Sequence, residues 1–326
     1  TTGIAGLTLG GGLGCLMPRY GMTVDNLLAA EVVLADGSTV MTDEDREPDL
    51  FWAIRGGGGN FGVVTSFKYR LHPVETITAG LVAHPFDRAT EVLRFYRAFT
   101  QDLPDEVMAL GGLVHAPDGS GTKLAAIVLY DTRATDTDGS VVDEVKAFGD
   151  PVLDTIERMP YAAANQLLDE GYPEGAFNYW KSSFLKSLSD DAIEAMIDAF
   201  ADAPSPADAI LIEHFHGAAT RVPADATAYP HRSEGYNFAA LSEWMDARLG
   251  DRCVQWARET YDSMTPHFSD ARYVNYLGDD ETAEEVSAAY GVNQPRLRKL
   301  KAKYDPDNVF HLNQNIRPAP SARSSN

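Results

Sequence analysis

Cysteine is nearly absent: Cys15 and Cys253 are the only two in 326 residues, and they lie far apart. That excludes a disulfide framework and a cysteine-based metal motif; both read as small buried apolar residues. No apolar run reaches the ~18 residues of a transmembrane helix, so no membrane partner is expected. No charged-then-apolar leader opens the chain, and the expected location is cytoplasmic. Lysine is scarce, with eight among 27 basic residues against 48 acidic ones, for a net charge of −21. Such a surface repels phosphate backbones and argues against nucleic acid as a partner. The acid is spread along the chain (Asp43, Asp136, Asp190, Asp279) rather than gathered in a tail. Distributed acid with little lysine fits a protein kept soluble at high salt and points to a halophilic source. A G-x-S-x-G motif is also missing, which leaves an α/β-hydrolase reading little support.

What is present is glycine, concentrated at the start. Gly3, Gly6, Gly10, Gly11, Gly12, Gly14 and Gly21 are interleaved with Leu7, Leu9, Leu13, Leu16 and Met17. Glycine mixed with apolar residues reads as an ordered loop pressed against something flat or buried, or equally as a tight turn packed under a sheet. It is not the usual dinucleotide fingerprint, which needs a strand before it and a βαβ unit of ~30 residues around it. The chain opens inside this loop, which implies a segment upstream of Thr1. A hairpin follows over 29–42, turning at Asp36-Gly37, and then a short helix over 46–55 with Leu50, Phe51 and Ile54 on one face. A second glycine cluster, Gly56 to Gly62, runs into a strand in which Phe67, Tyr69 and Leu71 alternate with Ser66, Lys68 and Arg70. Two glycine loops tied to β structure favour a large planar or phosphorylated ligand.

The length suggests about two domains, at ~100–200 residues each. From Glu75 the character changes to mixed helix and strand. Helices are expected over 87–103, 140–148, 189–202 (capped by Ser189 or Asp190) and 247–266. Strands are expected over 107–116, 122–131, 177–185, 208–217 and 235–243. Glu213, His214 and His216 hint at a metal, but 213 points away from the other two in a strand, and packing is the better reading. In the tail, 271–276 reads as a strand, 281–290 and 294–303 as helices, and 309–316 as extended. The basic run Arg296 to Lys303 reads as a solvated helix face.

Three segments together resemble a known family. GLTLGGGLGCLMPRYGMTVDNLLAAEVVLADG with RGGGGNFGVVTSFKYRLHPV is similar to the second half of the FAD-binding module of the vanillyl-alcohol-oxidase/p-cresol-methylhydroxylase superfamily. YVNYLG followed by YGVNQPRLRKLKAKYDPDNVFHLNQNI resembles the C-terminal segment of berberine-bridge-enzyme-like FAD-linked oxidases, and RVPADATAYPHRSEGYNF adds a weaker match. The resemblance implies an α+β fold: residues 1–74 as the second FAD subdomain, 75–269 as a substrate domain with a large antiparallel sheet, 270–318 as a segment returning to the FAD domain, and 319–326 as a disordered tail. It implies FAD as cofactor and a small-molecule substrate. Gly3, Leu7, Gly10, Gly11, Gly12, Tyr20, Asp25 and Asn26 would lie near the flavin or its pyrophosphate, and Gly62, Val63 and Val64 near the adenosine end. Asn313 and Asn315 would lie at the flavin edge, and Tyr276 falls where related carbohydrate oxidases carry a tyrosine base.

The departures matter equally. The histidine that commonly anchors FAD belongs to a segment before Thr1, and Gly3 stands where some members carry a second, cysteine linkage. Pro18 replaces a commonly basic residue. A chain with half an FAD domain would expose apolar surface and bind FAD poorly. The chain is therefore expected to act as an FAD-dependent oxidoreductase on an alcohol, sugar or C–N centre; the alternative is an inert remnant or binding protein. Substrate identity, electron acceptor and oligomeric state are not written in the motifs.

Overall fold

The computed structural model describes residues 3–133, 140–312 and 314–320. Its contacts divide into a terminal unit (the chain up to His72, Ala218–Ser233, and the chain from Ala271) and a sheet unit, Pro73–Gly217 with Glu234–Asp270. Ala218–Ser233 thus leaves the substrate region to which the sequence had assigned it. The reason is polar: Trp52 Nε1 donates to Asp225 O at 2.7 Å, and Asn293 Nδ2 donates to Ala224 O and Thr227 O.

The terminal unit opens with helices α1 (Ile4–Gly10) and α2 (Met17–Tyr20), where an ordered loop was expected. Each glycine inside a helix costs up to ~1 kcal/mol relative to alanine. Packing overrides that cost: Thr8, Leu9 and Gly10 are buried, and a Cβ on Gly10 would fall 2.0 Å from the Asn275 amide oxygen. Strands β1 (Leu27–Val33), β2 (Thr39–Thr42) and β3 (Val63–Tyr69) form an antiparallel sheet in the order β2-β1-β3. Helix α3 (Pro48–Ile54) buries all of Leu50–Ile54, more than the one face its pattern suggested.

The sheet unit carries β4 (Thr76–Pro85), α4 (Ala89–Phe99), β5 (Val107–His115), β6 (Lys123–Asp131), α5 (Ser140–Ala147), β7 (Leu153–Asp154), β8 (Glu157–Pro160), α6 (Tyr161–Ala164), β9 (Phe177–Leu185), α7 (Asp190–Ala201), β10 (Ala209–Phe215), β11 (Gly235–Trp244) and α8 (Gly250–Met264). Among the described residues these strands make one eight-stranded sheet, in the order β7-β4-β6-β5-β10-β11-β9 with β8 also on β4; its paired strands run antiparallel. Strand alternation sorts the side chains. Ile127, Ile210, Ile212, Phe238 and Ala240 pack with Tyr96 of α4, Phe200 of α7 and Trp256 of α8 in one core cluster. The intervening residues, among them Glu213, Asn237, Ala239 and Glu243, form the second face. Helices gathered on one side of an antiparallel sheet make the architecture α+β.

The terminal unit resumes with α9 (Ala283–Tyr290) and α10 (Gln294–Tyr304). Residues 271–276 are not the expected strand but lead into a single 3₁₀ turn, Val274–Tyr276. Their polar groups are committed to α1 and the loop after it rather than to a neighbouring strand. Ala319, placed by the sequence reading in a disordered tail, donates its N–H to Arg298 O at 2.9 Å.

Candidate functional site

The site begins where α1 stops. Gly11 and Gly12 take φ of 137° and 93°, a region closed to most side chains. Their carbonyls accept from Val24 N (2.9 Å) and Thr23 N (3.0 Å), which folds the loop back on itself. The Tyr273 hydroxyl, 1% exposed, receives Gly12 N at 2.9 Å, Leu13 N at 3.2 Å and Asn275 Nδ2 at 3.0 Å. Asn275 Nδ2 also reaches Leu7 O at 3.2 Å. Tyr276 is half-buried, its ring edge-on to Tyr273 at 4.9 Å. The structure therefore brings together Leu7, Gly10, Gly11, Gly12 and Tyr276, and it adds Tyr273 and Asn275, which the sequence reading did not single out. Their sequence signal is the YVNY motif itself, whose last tyrosine alone falls at the position of the expected base.

A second cluster adjoins the turn. Asp25 caps Met22 N at 2.8 Å and takes two bonds from Arg232, both 2.8 Å, with the carboxylate side chain 10% and the arginine 4% exposed. Arg232 further donates to Ala219 O and Thr227 Oγ1. Asn26 Nδ2 donates to Tyr20 O and Met22 O, its Oδ1 lies 2.6 Å from His72 Nε2, and the Tyr20 ring stacks on His72 at 4.0 Å. Burial, then the charges of Arg70 and Arg19, lowers the pKa of His72. Arg232 carries no local sequence signal, because only its pairing with the distant Asp25 gives it meaning.

The remaining predicted residues stand apart. Val63 and Val64 pair with Val33 and Val32, about 20 Å along β1 from its Leu27 end. Gly62 lets β3 pass close to β1, since a Cβ there would lie 2.5 Å from Val32 Cγ1. Asn315 keeps a buried Oδ1 without a partner and lines a cavity of about 520 Å³ with Gln314, Ser287 and Arg298. Asn313 lies outside the described residues. The segment around it is tied to the second glycine cluster: Asn60 Nδ2 donates to Gln314 O, and Asn60 Oδ1 accepts from Ile316 N.

The backbone around the first cluster fits a flat, ring-bearing cofactor. An added Cβ on Gly3, Gly6 or Gly14 would meet nothing within 4 Å, so α1 and the loop present bare main chain there. Beside them Ile4 is 54% exposed. His214 of β10 and His216 just beyond it do not suit a metal. The rings of His214 and His216 are stacked at 4.3 Å with planes 15° apart, and a ligating imidazole must hold the ion in its own plane.

Residues 272–317 match the family described as berberine and berberine like. An FAD-linked oxidoreductase of Dictyostelium discoideum is 31% identical over 97% of this chain and 69% of its own length. The xylooligosaccharide oxidase of Thermothelomyces thermophilus is 28% identical over 97% and 68%. Among solved structures, 6-hydroxy-D-nicotine oxidase from Arthrobacter nicotinovorans superposes with a TM-score of 0.86 at 26% identity, over 98% of this chain and 72% of that one. The chain thus spans roughly 70% of the length of these relatives. By sequence and by fold, the chain belongs to the berberine-bridge-like family of FAD-linked oxidoreductases.

Proposed function

We propose that the protein oxidises an alcohol, sugar or C–N centre of a small molecule by hydride transfer to FAD, with Tyr276 accepting the substrate proton. Relatives named for a nicotine and for a xylooligosaccharide bracket that substrate range. FAD when bound supplies the hydride acceptor. The chain supplies the rest. Gly3, Leu7, Gly10, Gly11 and Gly12 form the floor for the ring, with Tyr20, Asp25 and Asn26 fixing the turn beside it. Gly62, Val63 and Val64 take the adenosine end, whose separation along β1 suits an elongated dinucleotide. Asn313 and Asn315 take the flavin edge, Asn315 with its open acceptor.

The observation that carries the reading is the division of labour between two tyrosines. Tyr273 is buried under three N–H donors and holds the loop, while Tyr276 remains half-buried at its edge. A phenol ordinarily loses its proton near pH ~10, so a tyrosine base acts at neutral pH only where its phenolate is stabilised. The test is Tyr276→Phe in the FAD-loaded protein. Its flavin spectrum should be kept, while anaerobic flavin reduction by substrate falls on the order of 10²–10⁴-fold. Reduction at the wild-type rate would remove Tyr276 from the mechanism.

A further inference from the structure

The Gly11–Gly12 loop does not hold its own shape. Gly11 O and Gly12 O accept from Val24 N and Thr23 N, so the loop is only as fixed as the 3₁₀ turn Thr23–Asn26. That turn is tied at its start by a reciprocal pair of bonds. Met22 N donates to Asp25 Oδ2 at 2.8 Å, and Asp25 N donates to Met22 O at 3.0 Å. Gly21 leaves room for the carboxylate: its φ is 81°, and a Cβ there would lie 3.0 Å from Asp25 Oδ2.

Arg232, 207 residues further along the chain, grips the same carboxylate. Its Nη1 donates to Asp25 Oδ2 and its Nη2 to Asp25 Oδ1, both at 2.8 Å. The other two terminal N–H groups go to Ala219 O at 3.2 Å and Thr227 Oγ1 at 3.0 Å. All four are committed inside the protein, so Arg232 has no terminal donor left for a phosphate or a substrate. Whatever it contributes to the site runs through Asp25. Stability alone is a poor account of this pair, because apolar residues of similar volume often replace a buried ion pair without loss. The guanidinium fork supplies geometry instead. Two parallel N–H···O bonds fix the plane of the carboxylate, which the point charge of a lysine does not.

We propose that Arg232 is a positioning residue for the flavin site: acting through Asp25, it sets the turn Thr23–Asn26, and with it the Gly11–Gly12 backbone, before FAD arrives. The inference rests on the oxidation reading above and deepens its cofactor half. Glycine loses more conformational freedom on ordering than any other residue, so a loop with Gly11 and Gly12 at φ of 137° and 93° needs an external restraint. Ordering it in advance removes that cost from binding. Tyr273 restrains the loop through the N–H groups of Gly12 and Leu13, while Arg232 works on the carbonyl side through the turn.

The experiment compares the wild-type chain with two variants, by amide hydrogen exchange without FAD and by FAD titration followed through flavin fluorescence. Arg232→Lys keeps the charge and removes the fork. Asp25→Asn with Arg232→Met removes both charges together and keeps an acceptor for Met22 N, so no lone charge is left buried. Far-UV circular dichroism identifies the variants that remain folded. In both, the Thr23 and Val24 amides should exchange at least tenfold faster while the amides of β1 and α3 keep their rates, and FAD should bind at least tenfold more weakly. Wild-type exchange at Thr23 and Val24 would overturn the inference. So would acceleration spread evenly over β1 and α3, the mark of a residue that serves stability alone. Wild-type FAD affinity despite a loosened loop would overturn it as well. A wild-type chain that takes up no FAD defeats the oxidation reading, and the exchange rates then decide by themselves whether Arg232 sets the loop.

Discussion

Burial sets the behaviour of single side chains here more than charge does. His214 is 3% exposed, and burial, then the neighbouring His216, lowers its pKa to about 3. An unfolded histidine titrates near ~6.5, so below that pH the unfolded chain takes up a proton that the folded one refuses. Stability is therefore unaffected above pH ~6.5 and falls as the pH drops toward 3, by up to about 1.4 kcal/mol per unit, or roughly 2 kcal/mol by pH ~5. His84, His115, His216 and His231 are also lowered by burial, so the wild-type loss is a composite. His214→Phe should lose less stability than wild type between pH 7 and pH 5 in urea titrations; equal losses would assign the effect elsewhere. The two tyrosines of YVNY make a second contrast. Tyr273→Phe orphans Gly12 N and Leu13 N, at ~1–3 kcal/mol for each donor left unsatisfied, and should lower the thermal midpoint as well as weaken FAD binding. Tyr276→Phe removes the hydroxyl of a half-buried ring and should lower the thermal midpoint by less than Tyr273→Phe does. The motif made Tyr276 legible in the sequence, but spacing does not say which phenol oxygen meets which amide, and Tyr273 and Arg232 emerge only in three dimensions.

At the scale of elements, α10 shows how a basic-looking helix can be structural. Lys301 is fully buried, donating Nζ to Asn60 O (2.7 Å), Phe310 O (2.6 Å) and Asp305 Oδ2 (2.5 Å). Asp305 in turn accepts from Val309 N and Phe310 N. One ion pair thereby joins α10, the second glycine cluster and the tail. Lys301→Met leaves a buried carboxylate without its cation and should cost about 3–5 kcal/mol in urea unfolding. Adding Asp305→Leu should recover part of that loss, and a purely additive double variant would contradict the coupling. The sequence read this helix as a solvated face because five basic residues dominate it, and composition does not reveal that one of them turns inward. Elements with local signals were legible: α7 begins after Ser189, whose hydroxyl accepts from Ala192 N, and β5 and β6 meet across the turn at Asp118-Gly119. The opening helix and the turn at Val274–Tyr276 were not. Their conformations depend on each other through Gly10 and Asn275, about 260 residues apart in sequence, and no local pattern encodes such a contact.

The whole molecule is governed by its surplus of acid, 48 acidic against 27 basic residues. The order of the large sheet, which places β10 between β5 and β11, could not be read from the chain, because pairing between distant strands leaves no local trace. The charge, by contrast, is fully legible, and it makes a prediction independent of any site. Like charges spread over a compact surface repel one another and destabilise the folded state relative to the expanded chain. Added salt shortens the screening length from ~10 Å at 0.1 M to ~3 Å at 1 M and relieves that repulsion. The same salt weakens exposed pairs such as Arg46–Asp43 and Arg94–Asp190, but each is worth at most about 1 kcal/mol. The buried pairs Arg232–Asp25 and Lys301–Asp305 lie largely beyond screening. The net effect is stabilisation, so the thermal midpoint at pH 7 should climb steadily from 0.1 M toward molar KCl. Near the sequence isoelectric point of about 4.6 the excess charge is gone, and the climb should flatten. A salt response of equal slope at both pH values would instead point to exclusion of salt from apolar surface, a mechanism indifferent to net charge.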